Sequence, residues 1–215
     1  KEGERRSVAL KVLDKASLIK ASQTMYLRRE CTALHLFSSP FIGQFYDIVV
    51  TPRKVFLSLE YISAGELWYY LYEDKQHQRG LHGGLLLEHL TVFLAMITLA
   101  LEHIHGLGYC YRDLKPENLL VTHEGGLKIV DFGFAKSVPF LNEKDEVQYR
   151  TFTLCGTPDY MAPEIVLTQG HDRSSDFWAL GVLAYECLCT CTPFEGLTQE
   201  RTFEKIVHSQ RFLTF

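Results

Sequence analysis

Four polar residues near the middle of the sequence have side chains that suit the transfer of a phosphoryl group. Asp113 and Lys115 lie two positions apart, Asn118 follows them, and Asp131 begins a second short motif. A carboxylate such as Asp113 can orient a hydroxyl group and accept its proton, while Lys115 can place a positive charge at a phosphate. The side-chain oxygens of Asn118 and Asp131 are ligands that Mg²⁺ prefers. We therefore predict Asp113 and Lys115 as catalytic residues, and Asn118 and Asp131 as magnesium ligands.

These residues belong to motifs that follow one another in a recognisable order. The motifs are Val-Ala-Leu-Lys at 8–11, Tyr-Arg-Asp-Leu-Lys-Pro-Glu-Asn at 111–118, Asp-Phe-Gly at 131–133 and Ala-Pro-Glu at 162–164. Any one of them alone is a weak signal, but together they resemble the signature set of the protein kinases. The string at 113–118 resembles the Ser/Thr kinases more than the tyrosine kinases. The resemblance implies a kinase that uses ATP and Mg²⁺.

The segment that leads to the Ala-Pro-Glu motif narrows the resemblance. Residues 151–164 (TFTLCGTPDYMAPE) look like the activation segment of the AGC group of kinases, and DFGFAK at 131–136 and Tyr111 support the same group. GELW at 65–68 and GHDRSSDFWALG at 170–181 are most similar to the cyclic-nucleotide-dependent kinases, with a slight preference for the cGMP-dependent branch. The resemblance covers essentially the whole chain.

An ATP site between two lobes follows from this resemblance. Lys11 would contact the α- and β-phosphates and pair with Glu30, which follows it by 19 positions (30 − 11) on a predicted helix. Taken without the resemblance, Glu30 could be a solvent-exposed helix residue and the apolar residues of the site could be ordinary core. The implied ATP-binding residues are Lys11, Glu30, the hinge residues Glu60 and Ile62, the gatekeeper Leu59, Ala9 and Leu120 on either side of the purine, and Glu66, Glu117, Asn118 and Asp131.

Activation by phosphorylation is also implied by the resemblance. Thr153 would be the phosphorylation site, and a phosphate there would pair with Arg112 and Lys136 and order the loop. An upstream activating kinase would then be a partner. Some relatives have a histidine that reaches this phosphate where this chain has Tyr26. The resemblance therefore leaves open whether phosphorylation of Thr153 is coupled to the helix that carries Tyr26.

Three further residues would organise the site according to the same resemblance. Thr157 would bridge towards Asp113 and Lys115. Asp176, at the start of its helix, would brace the backbone of the catalytic loop. Glu164 would have a structural role, with its salt-bridge partner beyond the end of the sequence.

Substrate recognition is implied by residues of two kinds. Glu66, Glu117 and Glu186 stand where kinases that prefer basic substrates place carboxylates for arginines that precede the phosphoacceptor, and charge-assisted contacts suit arginine. Read without the resemblance, these three glutamates would be surface charges. The apolar pocket for the residue after the phosphoacceptor would be lined by Leu154, Pro158 and Met161.

The sequence also departs from the family pattern. The Gly-rich loop that covers the ATP phosphates should precede Lys11, where only Gly3 is found. The chain also stops before the last helices of the family. We therefore expect a fragment of a longer kinase that binds ATP weakly by itself. The activation loop at 137–150 and the loop at 74–84 are longer than in close relatives, and both are polar surface segments.

The predicted elements place these motifs in an α+β, two-lobed protein-kinase fold with both lobes incomplete. Hydrophobic patterns predict a small β-rich lobe at 1–62 and a larger helical lobe at 63–215, joined near 61–65. The predicted strands and helices are strands at 7–13, 45–50, 55–61, 119–121 and 127–130, and helices at 16–37, 66–73, 86–106, 176–188 and 199–209.

Composition excludes some other classes of function. The net charge is −4, from 22 Lys+Arg against 26 Asp+Glu, so there is no basic surface for nucleic acid. Six cysteines lack CxxC spacing, and the alternating Cys187, Cys189 and Cys191 would point to different faces of a helix, so we expect reduced thiols in a cytoplasmic protein. The sequence opens without a signal peptide. Its most apolar window, 90–101, is shorter than the ~20 residues that a membrane span needs.

Two other classes of function stay open at this point. A pseudokinase would act by binding or scaffolding, but Lys11, Glu30, Asp113, Asn118 and Asp131 are all present. A small-molecule phosphotransferase would not need the Ala-Pro-Glu segment, which serves peptide binding. The expected substrates are proteins with basic residues before the phosphoacceptor. Control by cGMP or cAMP is a hypothesis from similarity alone.

Overall fold

A small β-rich part and a larger helical part make up the structure, a computed structural model that describes residues 7–21, 23–74, 80, 83–138, 150–153 and 155–212. The first part consists of β1 (Val8–Asp14), α1 (Lys15–Lys20), α2 (Thr24–Leu36), β2 (Phe45–Val50) and β3 (Lys54–Glu60). The second consists of α3 (Leu67–Tyr72), α4 (Leu87–Gly106), β4 (Tyr109–Cys110), β5 (Leu119–Val121), β6 (Leu127–Ile129), β7 (Lys136–Ser137), α5 (Pro163–Val166), α6 (Ser174–Cys189) and α7 (Gln199–Val207). The predicted α+β class is confirmed.

Strands β1, β3 and β2 form an antiparallel sheet in that order, with Ala9 opposite Leu59 and Lys11 opposite Leu57. Exposure alternates along β1, so Ala9, Lys11 and Leu13 share the less exposed face. The sheet therefore presents the Lys11 side chain on the same face as two apolar residues.

The predicted single helix at 16–37 is wrong, because the structure has two helices there. Asp14 caps α1 by accepting a hydrogen bond from the Ser17 amide, and the Ala21 amide closes its last turn by donating to the Ser17 carbonyl. Helix α2 then begins at Thr24. Ile19 of α1 is 68% exposed, so its apolar side chain does not continue the buried face of α2. A short capped helix thus precedes the one that carries Glu30.

Helix α4 is the central element of the larger part and packs against α6 and β6. Its Ile97, Ala100, Leu101 and Ile104 are almost fully buried, and their spacing places them on one face. By length and composition alone its 20 residues could cross a membrane, so the prediction that the apolar stretch is too short is corrected. Because this face is buried against neighbouring elements, we interpret α4 as a core helix.

The two parts are joined by contacts as well as by the chain. Gly43 and Phe41 exchange backbone hydrogen bonds with Ile129 of β6, at 2.9 Å each. Lys128 Nζ lies 2.6 Å from Glu60 Oε1, which links β6 to the end of β3. These contacts set the sheet against the strand pair β5–β6. The boundary between residues 62 and 63 stays a prediction.

Candidate active site

Asp113 lies in the catalytic loop, which follows β4, and three predicted residues surround it: Lys115, Asn118 and Thr157. The Asp113 carboxylate is 7% exposed, and its Oδ2 lies 3.1 Å from Lys115 Nζ. Asn118 Nδ2 donates to the same oxygen at 2.7 Å and to the Asp113 carbonyl at 2.8 Å. Thr157 Oγ1 is 3.2 Å from Lys115 Nζ and 3.5 Å from Asp113 Oδ1. The loop therefore presents one carboxylate held by an amide, an ammonium group and a hydroxyl group.

Asp176, at the start of α6, holds the backbone of this loop. Its Oδ2 accepts from the Tyr111 amide at 2.9 Å, and its Oδ1 accepts from the Arg112 amide at 2.7 Å. Oδ2 also lies 2.7 Å from His105 Nε2 on α4. Arg112 has a left-handed backbone with φ of 71°, which is unfavourable for a residue with a side chain. The two hydrogen bonds from Asp176 stabilise the loop in this conformation.

Aromatic contacts of the neighbouring residue fix the position of Asp131. The neighbouring Phe132 is fully buried, with its ring centroid 5.1 Å from that of Phe37 and 5.6 Å from that of Tyr111. The Tyr111 hydroxyl donates to the Val130 carbonyl at 2.6 Å. Asp131 therefore follows a segment that is tied both to the end of α2 and to the catalytic loop. Sequence patterns alone could not show this aromatic cluster.

Lys11 pairs with Glu30 as predicted and also approaches Asp131. Its Nζ lies 2.6 Å from Glu30 Oε1 and 3.6 Å from Asp131 Oδ1. Burial disfavours the charge of Lys11, but the carboxylates of Glu30 and Asp131 more than offset this and raise its pKa. Glu30 is 6% exposed, so the alternative of a solvent-exposed helix glutamate is excluded. The ammonium group of Lys11 is thus held charged beside Asp131.

The donor set at Asn118 and Asp131 fits magnesium. Both residues offer oxygen atoms, and the Asp131 side chain is half exposed, so it is accessible to a ligand. Across the described ranges, no group of three or more His, Cys, Asp or Glu side chains could hold a metal by itself. Mg²⁺ is commonly held by one or two protein oxygens together with substrate phosphates and water. The oxygen donors of Asn118 and of Asp131, which lies beside Lys11, are consistent with such a site.

The other residues predicted for nucleotide binding lie around the connection between β3 and α3. Ala9 and Leu59 are paired neighbours on β1 and β3. Glu66 forms an isolated antiparallel bridge with Leu120, which places the residue after the hinge beside β5. The hinge residue Ile62 is half-buried. Their roles in binding adenine stay predictions.

The predicted phosphorylation site lies beside Lys136, one of the two cations expected to bind its phosphate. Lys136 Nζ is 3.4 Å from Thr153 Oγ1 and closer, at 2.7 Å, to Thr151 Oγ1. Arg112 is 7% exposed, and its Nη1 has no hydrogen-bond partner within the part of the chain that is described. Burial, together with the charges of Arg112 and Arg29, lowers the pKa of Lys136. Lys136 and Arg112 therefore provide positive charge that a phosphate could bind.

Thr151 and His171 are site residues that the sequence did not indicate. They exchange two backbone hydrogen bonds of 2.9 Å, so the segment before Thr153 is pinned to the loop before α6. Burial and the neighbouring Arg112 lower the pKa of His171 to about 4. No local pattern predicts a two-residue bridge between positions 20 apart (171 − 151). It keeps Thr153 next to Lys136.

The residues predicted for substrate recognition differ in their surroundings. Glu66 and Glu117 are exposed, but Glu186 is 5% exposed and accepts a hydrogen bond from Tyr72, so it is not the simple surface charge considered above. Pro158 is half-buried and Met161 is buried. The remaining candidates are Leu154, which lies outside the described residues, and the structural residue Glu164, which is half-buried at the start of α5.

Replacing Glu30 with glutamine is expected to lower the pKa of Lys11, because the negative charge 2.6 Å from its ammonium group is lost. The measurement is the pH titration of the Lys11 side chain by NMR in the full-length protein. Glu102→Gln, at an exposed position on α4, is the matched control and should leave Lys11 unchanged. An unchanged Lys11 titration in Glu30→Gln would show that the ion pair does not determine the charge of Lys11.

Comparisons with known proteins agree with this geometry. The protein kinase domain family matches residues 1–214. The cAMP-dependent protein kinase type 3 of Saccharomyces cerevisiae is 38% identical over 205 residues, which are 95% of this chain and 47% of the yeast protein. The cGMP-dependent protein kinase 2 of Homo sapiens is 39% identical over 207 residues, which are 96% of this chain and 25% of the human protein. The chain thus spans half or less of the length of these relatives.

The two branches of relatives are equally similar to this chain. A cAMP-dependent protein kinase catalytic subunit-like protein of Caenorhabditis elegans is 36% identical over 205 residues, close to the values for the yeast and human proteins. The preference for the cGMP-dependent branch therefore stays a prediction. With its catalytic loop, its Lys11–Glu30 pair and its match over residues 1–214, the chain belongs to the protein kinase domain family, and its AGC-type resemblance to the cyclic-nucleotide-dependent kinases is confirmed.

Proposed function

We propose that the protein is a Ser/Thr protein kinase that transfers the γ-phosphate of ATP to a hydroxyl group of a protein substrate. The observation that carries this proposal is the buried Asp113 carboxylate, with Lys115, Asn118 and Thr157 within hydrogen-bond range of it. Phosphoryl transfer depends mainly on positioning and on charge stabilisation, and this loop provides both. The pairing of Lys11 with Glu30 adds a cation for the phosphates.

Each of these residues would have a separate role in phosphoryl transfer. Asp113 would accept a hydrogen bond from the substrate hydroxyl, orient its oxygen towards the γ-phosphorus and take up its proton. Lys115 would stabilise the charge of the phosphoryl group during transfer, and Lys11 would hold the other phosphates. Asn118 and Asp131 would hold Mg²⁺, which supplies positive charge next to the phosphate oxygens. ATP and Mg²⁺ are thus the proposed co-substrate and cofactor.

Phosphorylation of Thr153 is proposed to activate the enzyme. A phosphate on Thr153 would add up to about two negative charges beside Lys136, and it could pair with Nη1 of Arg112, which has no partner among the described residues. Because Arg112 precedes Asp113, such pairing would connect the state of the activation segment to the catalytic loop. An upstream kinase is the corresponding partner.

Basic protein segments are the proposed substrates. Exposed Glu66 and Glu117 would bind arginines before the phosphoacceptor, and Pro158 and Met161, together with Leu154, would contact the residue after it. The proposed location is the cytoplasm. Regulation by a cyclic nucleotide is proposed only from the similarity to cAMP- and cGMP-dependent protein kinases.

The experiment that tests the function measures phosphate transfer from Mg·ATP to matched peptides by the full-length protein. We expect an Arg-Arg-x-Ser peptide to be phosphorylated, its tyrosine version to be phosphorylated much less, and its Ala-Ala-x-Ser version to show a higher KM. The Thr153→Ala variant should transfer phosphate more slowly than protein phosphorylated at Thr153. No transfer to any peptide from folded, phosphorylated protein would favour a binding or scaffolding role instead.

A further inference from the structure

Tyr72 and Glu186 form a side-chain contact apart from the catalytic residues around Asp113. The Tyr72 hydroxyl, at the end of α3, donates to Glu186 Oε1 on α6 at 2.5 Å. The two residues are 114 positions apart in the chain (186 − 72), so this contact also ties α3 to α6. Glu186 is 5% exposed, and no salt bridge joins it to a residue in the described part of the chain, which is unusual for a buried carboxylate.

The second oxygen of Glu186 lacks a hydrogen-bond partner among the described residues. Its Oε2 is buried, and no hydrogen bond reaches it from the residues that the structure describes. A buried carboxylate oxygen without a donor costs free energy, so this position favours a ligand that brings hydrogen-bond donors. The ligand must be cationic if the carboxylate is to be ionised in these surroundings.

Three of the charges around Glu186 are acidic, and they come from different elements. Burial raises its pKa to about 7, the Tyr72 hydroxyl partly counters this, and Glu117, Asp159 and Glu195 raise it further. Glu117 lies in the short helical turn Pro116–Asn118, and Asp159 lies in the turn Pro158–Tyr160. Glu195 lies in the loop after α6. The negative charges of these three carboxylates favour the protonated form of Glu186.

We propose that Tyr72 is a specificity-determining positioning residue, which holds Glu186 so that Oε2 receives one arginine side chain of the substrate while Glu186 releases a proton. This inference rests on the proposed function, because it identifies how one of its substrate contacts works. A guanidinium group supplies the donors that Oε2 lacks and the positive charge that the carboxylates around it lack. The proton that Glu186 loses goes to solvent, so the exchange is balanced in charge.

The sign of the pH dependence follows from this exchange. A cation binds the ionised form of Glu186, and the proton competes with it below the pKa of about 7. The affinity for an arginine peptide should therefore be about tenfold lower at pH 6 than at pH 8. Tyr72→Phe removes a hydrogen bond that stabilises the ionised form, so the pKa of Glu186 rises. With a rise of one unit, arginine-peptide binding at pH 7 should weaken about fivefold.

The test is a binding measurement on the full-length protein, with two peptides that differ only in arginine or citrulline before the serine. Calorimetry in buffers of different ionisation enthalpy counts the protons released, and NMR of ¹³C-labelled glutamate follows Glu186, whose signal is identified by its loss in Glu186→Gln. Tyr69→Phe, at an exposed position on the same helix, is the matched control and should behave like the wild type.

We expect proton release and the pH-dependent affinity with the arginine peptide only, and a shifted pH profile in Tyr72→Phe only. A merely structural Tyr72 would change stability without moving this profile. Equal binding of both peptides, a pH dependence that survives in Glu186→Gln, or an unshifted profile in Tyr72→Phe would overturn the inference. Because binding needs no phosphate transfer, a protein that binds in this way but does not phosphorylate peptides would contradict only the proposed function.

Discussion

Replacing Asp176 with alanine is expected to lower the free energy of unfolding by about 3–5 kcal/mol, because it leaves several buried groups unpaired. The carboxylate is 1% exposed and contacts the amides of Tyr111 and Arg112 and the ring of His105. Without it, the left-handed backbone of Arg112 loses its support, so the catalytic loop should also lose its geometry. Urea unfolding of the full-length protein measures the effect.

Asp47→Ala is the control for this variant, because Asp47 is exposed on β2 and should change stability by no more than about 0.5 kcal/mol. A second variant, Asp176→Asn, keeps one acceptor oxygen and should lie between the wild type and Asp176→Ala. If Asp176→Ala unfolds at the same urea concentration as Asp47→Ala, the three contacts do not stabilise the loop.

The sequence predicted most of the secondary structure because hydrophobic periodicity records which face of an element is buried. Strands β2 and β5 have the predicted bounds, and α4 begins one residue later than predicted. The helix at 16–37 failed because its apolar spacing continues across a break. That break is set by the backbone hydrogen bonds of Ala21 and Gln23, which close the end of α1, and neither contact alters the apolar pattern.

Some contacts of the candidate site could be predicted from the sequence and others could not. The pairing of Lys11 with Glu30 could be predicted from the spacing of a known family, and the structure places the two atoms 2.6 Å apart. The contact of Tyr72 with Glu186 and the bridge of Thr151 with His171 could not be predicted. Both depend on how distant segments are brought together, and a single sequence carries no record of that arrangement.

Replacing Asp113 with asparagine is expected to lower the rate of phosphate transfer by about 10²–10⁴-fold, the range attributed to general acid–base groups. The amide oxygen can still accept from Asn118 or Lys115, so the fold and the Mg·ATP site should persist. The amide nitrogen cannot take up a proton from the substrate hydroxyl. Mg·ATP affinity and the transfer rate, measured on the same protein, separate these two effects. Asp47→Asn is the control and should match the wild type.

The most direct test of this account is a single-turnover measurement, with enzyme in excess, of labelled phosphate passing from Mg·[γ-³²P]ATP to the serine of an Arg-Arg-x-Ser peptide. We expect full-length wild-type protein phosphorylated at Thr153 to label the serine, and Asp113→Asn to bind Mg·ATP equally well without appreciable labelling. Equal labelling by both proteins would contradict the role of Asp113. No labelling by the folded wild-type protein would contradict the proposed kinase activity.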